Sequence, residues 1–379
     1  MIHQRPLYPF DVNFTMLYSL PVLMYHSISR FKNYLCLPPE LFEDHCRTLS
    51  EAGWTGISLP EAEDYFLKRK RLPNKVCLFT FDDGYLDNFV YAEPILRQYG
   101  HHGVIFPVLG YIESGKKLRP NKDLSAPSKE SDKFFAALDK RRTMSRSGRN
   151  VAKIQFCNWE ELKHMHFHGS MMAAPHSIYH SRVVRGLKFT SLFAPQGRGS
   201  FFSVPPYEIC YGFPRFDLGH ALASRGYQIV PEVFEIARSM VPQEVDAAKK
   251  FLSSPSNRQN VLDTFLKLPC LGFLESKEQY RQRIAEELVQ SRDVFHHHFG
   301  VTPISFCWPW GDFTKTSLEV ARDLGFRVFF STGRKANRFG KANAVHRITI
   351  RQETGQQVLQ KVKFASNAAL EDIYGFFPF

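Results

Sequence analysis

Short apolar runs that are typical of buried β-strands alternate along this chain with amphipathic segments that are typical of α-helices. The first strand-like run, 22–25, precedes a helical pattern at 41–52. Further strand-like runs follow at 76–81, 103–108, 171–174, 304–307, 326–330 and 345–350, and helix-like segments at 88–99, 159–167, 314–324 and from Gln356. Because each helix carries the chain back to the start of the next strand, the pattern predicts an α/β fold with a parallel sheet or barrel.

Two stretches interrupt the alternation. Residues 113–153 are polar and charged, and residues 185–275 are rich in proline, phenylalanine and glycine before they become helical around 233–252. Both are interpreted as insertions into one scaffold. The sequence therefore predicts an N-terminal extension, residues 1–20, followed by a single domain over 21–379.

Composition narrows the class of protein. Of the 379 residues, 44% are hydrophobic and 23% charged, an ordinary globular mixture that excludes a wholly disordered or fibrous chain. Seven cysteines without a C-x-x-C pair argue against a disulfide framework and a zinc ribbon. No apolar run approaches the roughly 20 residues of a membrane-spanning helix, and no signal-peptide pattern is seen, so we expect a cytoplasmic protein.

Two adjacent carboxylates give the strongest local signal. Asp82 and Asp83 follow the apolar run 76–81, and Gly84 turns the chain away. Parallel α/β proteins keep their active sites at this end of their strands. Since neighbouring carboxylates resist double ionisation without a cation, one can bind a metal ion while the other takes up protons. The alternative at this point is an Asx-type turn that caps the next helix.

A pair of histidines follows another strand-like run. His176 and His180 are four residues apart, a spacing that places both on one face of a helical turn and allows them to bind a single ion. A structural role for the pair is an equal alternative. His164 and His168 have the same spacing, but they fall at the polar end of a helix, where we expect solvated or packed side chains.

Two more strand ends carry candidate residues. His26 ends the first apolar run, where a lone histidine is usually a hydrogen-bonded core residue. Trp308 and Trp310 lie in an aromatic Pro-Gly turn that can form one wall of a sugar pocket and aim a backbone N–H inward, although a packed aromatic turn is an equal alternative. We expect Tyr85, just after the two aspartates, and Trp308 to contact substrate.

Two features resemble chemical sites but are interpreted otherwise. The run 296–298 consists of three histidines that would point in different directions on a helix, so it indicates a helix C-terminus, where His suits the dipole. Cys307 is a weak candidate for a nucleophile because no His–Cys pattern surrounds it.

Together these motifs make the chain resemble the polysaccharide deacetylases, carbohydrate esterase family four, whose signatures are T-F-D-D-G and H-S/T-x-x-H. The matching stretches are Thr80–Tyr85, His176–His180, Leu23–His26 and Phe306–Gly311. The early Met-Tyr-His strand is similar to a branch in which the family's usually C-terminal L-x-x-H motif comes first, as if the barrel were circularly permuted. The resemblance spans 21–112, 155–182 and 280–350, so it covers the scaffold and omits the insertions. It implies a distorted (β/α) barrel of seven strands.

The resemblance also implies roles for individual residues. The general base would be Asp82, the metal ligands Asp83, His176 and His180, the general acid His26, and the oxyanion donor the backbone N–H of Trp310. Zinc suits this mixed nitrogen and oxygen ligand set best, with cobalt, nickel and manganese as alternatives. The chain departs from the family at Cys307, where the family often has an Arg that orients the base, and at Trp310, which replaces a Tyr. The family's D-x-x-D-W motif is not found.

These roles predict a metal-dependent hydrolase that removes acetyl groups from an amino sugar or glycan. Two alternatives are a catalytically weakened glycan-binding protein on the same scaffold and a hydrolase of another linear C–N amide. A binder of nucleic acid or anionic surfaces is suggested by charge alone, since no helix-turn-helix, zinc finger or aromatic–basic RNA signature accompanies the charge. We therefore expect no nucleic-acid partner.

The net charge of +12 is concentrated in one insertion. Residues 113–153 hold 12 of the 49 Lys and Arg residues and 5 of the 37 Asp and Glu residues, which leaves 37 basic and 32 acidic residues elsewhere. We expect this insertion to form a basic rim that attracts an anionic glycan, a sugar phosphate or a lipid head group at a membrane surface. A disordered, solvated loop is the alternative.

Overall fold

The fold alternates strands with helices, as the sequence predicts. The structure, a computed structural model, describes residues 18–31, 34–122, 129–140, 155–194, 210–333 and 335–374. Its strands are β1 Val22–Tyr25, β2 Ser27–Ile28, β3 Cys36–Leu37, β4 Thr55–Gly56, β5 Val76–Asp83, β6 Gly103–Pro107, β7 Met171–Ala173, β8 Arg182–Gly186, β9 Asp217–His220, β10 Tyr227–Ile229, β11 Gly272–Leu274, β12 Ser305–Cys307, β13 Val328–Phe330 and β14 Ile348–Thr349. Its helices are α1 Pro39–Glu51, α2 Leu59–Phe66, α3 Glu93–Gln98, α4 Lys129–Lys140, α5 Trp159–His168, α6 Pro231–Met240, α7 Val245–Ser253, α8 Pro255–Leu266, α9 Lys277–Phe299, α10 Lys315–Asp323, α11 Gly355–Ala365 and α12 Ala368–Tyr374.

Parallel strands form an almost complete ring. Strands β14, β1, β5, β6 and β7 lie side by side in one sheet, with β4 beside the start of β5, and β12 and β13 form a second parallel pair. Isolated hydrogen bonds bridge the two gaps: the N–H of Cys307 donates to Pro175 at 3.1 Å, and that of Val345 to Phe329 at 2.7 Å. The barrel is therefore distorted, and no continuous ladder closes it within the described residues.

Side chains on successive strand positions point to opposite faces, which divides the core into layers. One layer draws on strands all around the ring and so lies inside it; it includes Val22, Leu78, Val104, Cys307, Phe330 and Val345. A second layer packs the outer face against helices α1, α3, α5 and α11; it includes Leu23, Phe79, Ile105, Phe42, Leu96, Leu162 and Val358. Burial of both faces explains why the strands read as continuous apolar runs.

Two predicted helices are interrupted at prolines. The helix expected over 88–99 begins with a π-helical turn, Asn88–Ala92, directly before α3. Pro94 has no N–H with which to continue the regular hydrogen-bond ladder. The helix expected around 233–252 is two helices, α6 and α7, because Pro242 forces the preceding residue out of the helical region; Val241 has φ −117° and ψ 125°.

The second insertion has an apolar core of its own. Helices α6, α7 and α8 pack around a cluster that includes Phe213, Val233, Val261 and Phe265. The insertion returns to the barrel through two antiparallel pairs, β8 with β9 and β10 with β11. Among the residues that the structure describes, no helix combines the length and the apolar character that a bilayer crossing requires.

Candidate active site

The predicted strand ends meet at one edge of the ring. Asp82 and Asp83 end β5, His26 follows β1, and His176 follows β7. Because side chains alternate along each strand, Asp82 shares the inward face of Leu78, and His26 that of Val22. The same alternation places Arg347 on the inward face of Val345, and its side chain is 1% exposed. The carboxyl end of the barrel thus brings together two carboxylates, two imidazoles and a guanidinium.

Asp83, His176 and His180 form a buried cluster with the dimensions of a metal site. The Oδ1 atom of Asp83 lies 3.8 Å from Nε2 of His176 and 3.9 Å from Nε2 of His180. One ligand atom from each of the three residues lies within 4.8 Å of the other two. Four ligands at about 2.1 Å around a tetrahedral ion are about 3.4 Å apart, so small side-chain movements would seat a zinc-sized cation.

The two histidines have the protonation state that metal ligands need. The Nδ1 atom of His176 lies 2.9 Å from the carbonyl oxygen of Cys307, which can only accept a hydrogen bond, so Nδ1 carries the proton and Nε2 presents its lone pair toward Asp83. Burial lowers the pKa of His176 despite the opposing charges of the two aspartates. Burial and the neighbouring His176 also lower the pKa of His180 well below its ordinary value. Both imidazoles are therefore neutral.

Backbone strain is concentrated in this cluster. Six residues other than glycine have positive φ in the described part of the chain, and four of them are Asp83 at 73°, Ser177 at 67°, His180 at 48° and Trp310 at 55°. Each such conformation costs about 1–3 kcal/mol and persists only where the surrounding structure enforces it. The concentration of four of the six strained residues here indicates that side-chain placement has been favoured over backbone stability.

Asp82 is held by a buried ion pair. Nη1 and Nη2 of Arg347 contact the two carboxylate oxygens of Asp82, with a distance of 2.9 Å from Nη2 to Oδ2, and Nε of Arg347 donates to the carbonyl of Ser331 at 3.0 Å. Burial alone would raise the pKa of Asp82. The charge of Arg347, with smaller contributions from His176 and His26, outweighs it and holds the pKa well below its ordinary range.

His26 and Cys307 complete the surroundings of Asp82. Nε2 of His26 lies 3.9 Å from Oδ2 of Asp82, and the imidazole is 20% exposed, so it borders both the carboxylate and the cleft. The Cys307 thiol lies 4.0 Å from Oδ1 of Asp82. Burial raises the pKa of this thiol well above its ordinary value, which keeps it protonated and unsuited to nucleophilic attack.

Arg347 is the residue that the sequence did not reveal. The family Arg expected at the position of Cys307 is replaced in space by an Arg from the strand segment that begins at Val345. One signal for it is present in the sequence: Arg347 is a charged residue at even spacing from Val345 inside an apolar strand. A charge on the inward face of a buried strand requires a partner, and Asp82 supplies it.

Side chains of the β8–β9 pair, at the edge of the second insertion, lie next to Trp310. The ring of His220, at the end of β9, stacks on the Trp310 indole with centroids 4.2 Å apart and an angle of 8°. The carboxylate of Asp312 accepts a hydrogen bond from Nδ1 of that histidine. The guanidinium carbon of Arg182, in β8, lies 5.0 Å from the Trp310 ring centroid, and the His180 ring lies 4.0 Å from it on centroids. None of these contacts was predicted.

The two residues expected to contact substrate are buried. Trp308 is 0% exposed, with its indole stacked on Phe313 and Phe329, so the structure does not bring it to the cleft. Tyr85 is 6% exposed and stacks on Phe156 at 5.5 Å. Substrate contact by either side chain stays a prediction, and their burial argues against it.

The other histidines lie outside the site. His166 accepts a hydrogen bond at Nδ1 from the N–H of Ala173, and no metal-ligand cluster in the described residues includes His164 or His168. The run 296–298 ends α9, whose C-terminus is capped by Gly300 at φ 71°. The three histidines therefore lie in the last turn of a helix, as expected.

Comparisons with known proteins agree with this geometry. A sequence model described as polysaccharide deacetylase matches residues 69–191 and 266–329. The Bacillus subtilis (strain 168) protein YxkH, whose name describes it as a polysaccharide deacetylase, is 42% identical over 90 residues, 24% of this chain and 32% of that protein. The match thus spans about a third of the relative's length. This chain belongs to the polysaccharide deacetylase family, carbohydrate esterase family four.

Solved structures share the fold over almost the whole chain. A de-N-acetylase from Aggregatibacter actinomycetemcomitans superposes with a TM-score of 0.56 at 21% identity, covering 90% of this chain and 99% of that one. The BpsB deacetylase domain from Bordetella bronchiseptica gives 0.53 at 19% identity, covering 89% and 97%. IcaB from Ammonifex degensii gives 0.52 at 19% identity, covering 91% and 97%. At these identities the likeness concerns the fold.

Proposed function

We propose that this protein is a metal-dependent deacetylase that hydrolyses the N-acetyl group of an amino sugar within a glycan. The observation that carries the proposal is the buried triad Asp83, His176 and His180 beside a separate carboxylate, Asp82, which Arg347 keeps ionised. One carboxylate and two neutral imidazoles leave positions on a divalent ion for water and substrate, as catalytic metal sites require. The family and the names of the similar proteins support a glycan substrate.

Zinc is the metal that the ligand set suits best, and cobalt, nickel and manganese are the alternatives. When bound, a divalent ion supplies Lewis-acid polarisation of the acetamide carbonyl and lowers the pKa of a water molecule toward about 7. Asp83, His176 and His180 would hold it. The hydrogen bond from His176 to the Cys307 carbonyl fixes the ring in the orientation that this requires.

The remaining steps belong to residues of this chain. Asp82 takes the proton of the attacking water, because it is ionised and each of its oxygens is already oriented by Arg347. The backbone N–H of Trp310 donates to the carbonyl oxygen as negative charge develops on it, an interaction worth roughly 3–4 kcal/mol in the transition state. His26, 3.9 Å from Asp82 and open to the cleft, delivers a proton to the departing amine.

Acetate release from N-acetylglucosamine oligomers, with and without a chelator, tests the proposal. Asp83→Ala should lower both zinc binding and turnover, the latter by at least about 100-fold, since it removes a ligand. Asp82→Asn should keep zinc bound while turnover falls by about 100- to 10,000-fold, the range expected for loss of a general base. Asp217→Asn, an exposed carboxylate of the second insertion, is the control. Unchanged turnover in Asp83→Ala would overturn the metal assignment.

A glycan-binding protein without turnover is no longer favoured. That alternative rested on the missing family Arg at Cys307, and Arg347 occupies the place beside the base. An anionic or lipid-linked substrate and a cytoplasmic location stay predictions.

A further inference from the structure

Arg182 and His220 reach the same indole because of the strand pairing between β8 and β9. They are directly opposite each other in this antiparallel pair, so their side chains lie on one face of it. His220 stacks flat on Trp310 and is anchored by Asp312, while the guanidinium of Arg182 lies over the ring. Trp310 also contacts the predicted metal ligand His180. The β8–β9 pair therefore places a cation one indole away from the triad.

The buried Nε of Arg182 has no hydrogen-bond acceptor, and its guanidinium has no ion-pair partner, among the described residues. No carboxylate of the described chain lies within ion-pair distance of its guanidinium, whereas Arg185, three residues on in the same strand, donates from Nε to Asp217 at 2.7 Å. A buried donor on a charged group destabilises the fold when it has no acceptor, so its retention calls for a ligand.

We propose that Arg182 binds an anionic group of the substrate, a carboxylate or phosphate on the sugar next to the one that is deacetylated. A guanidinium stacked on an indole keeps its in-plane N–H groups available, and their fork matches two oxygens of such an anion. Trp310 forms the platform, and His220 with Asp312 fixes its orientation. The inference rests on the proposed function and adds a substrate class to it.

The test compares substrates of equal length that differ in charge. Acetate release is measured on an N-acetylglucosamine tetramer, which is neutral, and on a hyaluronan tetrasaccharide, which alternates N-acetylglucosamine with a carboxylate sugar; an N-acetylglucosamine tetramer that carries a phosphate on its reducing-end sugar supplies the phosphate arm. For each protein, kcat/KM on the anionic substrate is divided by kcat/KM on the neutral substrate. This ratio should be about 10- to 100-fold lower in Arg182→Gln than in the wild type, as expected for loss of a charge-assisted hydrogen-bonded pair. Arg182→Lys should recover part of it.

Arg185→Gln is the matched control, since it removes the same charge from the same strand, and its ratio should equal that of the wild type. An unchanged ratio in Arg182→Gln overturns the inference. Calorimetric binding of the hyaluronan tetrasaccharide to zinc-loaded Asp82→Asn protein, with and without Arg182→Gln, separates the two proposals. Equal affinities there overturn the anion subsite even if no acetate is released, whereas absence of turnover on every substrate counts against the proposed function alone.

A second site is indicated by a different observation, a groove of about 1030 Å³ on the outer side of the barrel. His346 lines this groove, while its neighbour Arg347 points inward to Asp82, so the two sites lie on opposite faces of one strand segment. The basic side chains that line it are Arg322, Arg327, Lys335, Arg338, Lys341 and His346.

Within the described chain, few acidic side chains balance the positive charge of this groove. Its two acidic residues are already engaged, Asp323 with Arg281 at 2.8 Å and Asp372 with Arg338 at 2.6 Å. The aromatic residue in its lining, Phe66, is 1% exposed and offers no surface for stacking a base. We infer that the groove binds a segment of an anionic polysaccharide through its charged groups; single-stranded nucleic acid would need exposed aromatic platforms as well.

Binding of a fluorescent hyaluronan chain of about 20 sugars tests the second site by anisotropy. Lys335→Glu/Lys341→Glu should weaken binding at least tenfold, with acetate release from the N-acetylglucosamine tetramer at the wild-type rate. Lys249→Glu/Lys250→Glu on α7 makes the same change of charge outside the groove and should bind as the wild type does. Equal weakening in both variants, or tighter binding of a single-stranded oligodeoxynucleotide of matched charge, overturns this inference.

Discussion

Asp82 and Asp83 are neighbours in the chain, yet they face different partners. Asp82 points into the ring toward Arg347 and His26, and Asp83, at φ 73°, points to the two histidines. The positive φ turns the second carboxylate out of the regular strand alternation. Arg347 lies beside the first carboxylate, and the second faces the two imidazoles with which it would hold a metal ion. One strained residue thus separates the proposed base from a proposed metal ligand.

Removing the partner of Asp82 should change both stability and pH dependence. The folded pKa of Asp82 lies below the unfolded value of about 3.9, so the pair contributes stability that is present above pH 4 and lost as the pH falls through the folded pKa. Arg347→Met leaves a buried carboxylate unpaired, which should cost about 3–5 kcal/mol at neutral pH. It should also move the acid limb of the kcat/KM profile to higher pH.

Denaturant unfolding and pH–rate profiles check this expectation. Arg351→Met, at an exposed position four residues on, is the control and should leave both measurements unchanged. An acid limb that stays in place in Arg347→Met would contradict the role given to the guanidinium.

Gly311 supports the turn that carries the Trp310 N–H. It has φ 76°, and a Cβ added there would lie 2.3 Å from the backbone nitrogen of Thr332. Gly300 has φ 71°, but a Cβ added there would have no atom within 4 Å. Gly300→Ala therefore measures the conformational cost alone, about 1 kcal/mol. We expect Gly311→Ala to lower the free energy of unfolding by about 1–3 kcal/mol more than Gly300→Ala does. Gly311→Ala should also lower kcat at least tenfold. Equal losses in the two variants would show that the close approach is relieved elsewhere.

At the scale of elements, the alternation of strands and helices could be predicted because apolar runs and helix caps are local signals. Asn158 illustrates this: its side chain accepts from the N–H of Glu161 at 3.0 Å, and the capping box expected from sequence is formed. The carboxyl ends of β1, β5, β7 and β12 could likewise be predicted to converge, since parallel strands share an edge. The contacts of Arg182 and His220 with Trp310 could not be predicted from the sequence. They depend on how the β8–β9 pair, at the edge of an insertion with its own core, packs against the barrel.

The contact between α5 and β7 should make the fold sensitive to mild acid. Burial lowers the pKa of His166 to about 4, and its Nδ1 must stay unprotonated to accept from Ala173 at 3.0 Å. A histidine whose folded pKa is depressed contributes stability above its unfolded pKa of about 6.5 and loses it as the pH falls toward 4. His166→Asn, which keeps an acceptor near Nδ1, should flatten that part of the stability curve. Identical curves for the two proteins from pH 7 to pH 4 would refute this.

At the scale of the whole molecule, the excess positive charge has more than one location. In the basic insertion, Arg119 is committed to Glu113 and Glu161, and the stretches 123–128 and 141–154 lie outside the described residues. The expected basic rim therefore stays a prediction. The groove beside His346 takes its basic side chains from the single stretch 322–346, which is separate from the basic insertion.

The proposed metal triad should link stability of the entire barrel to metal binding. Its ligands come from β5 and from the segment after β7, and that segment is joined to β12 at one of the two gaps in the ring through the bonds of Cys307. A cation that binds only the folded state adds about 2.7 kcal/mol of unfolding free energy at 100 times its Kd. We expect chelator-treated protein to melt at a lower temperature and zinc to restore the melting temperature. His180→Asn should abolish the response to zinc, whereas His297→Asn, at the exposed end of α9, should keep it. Equal zinc responses in these two variants would place the ion elsewhere and leave the strained backbone at Asp83, Ser177 and His180 without the ligand that explains it.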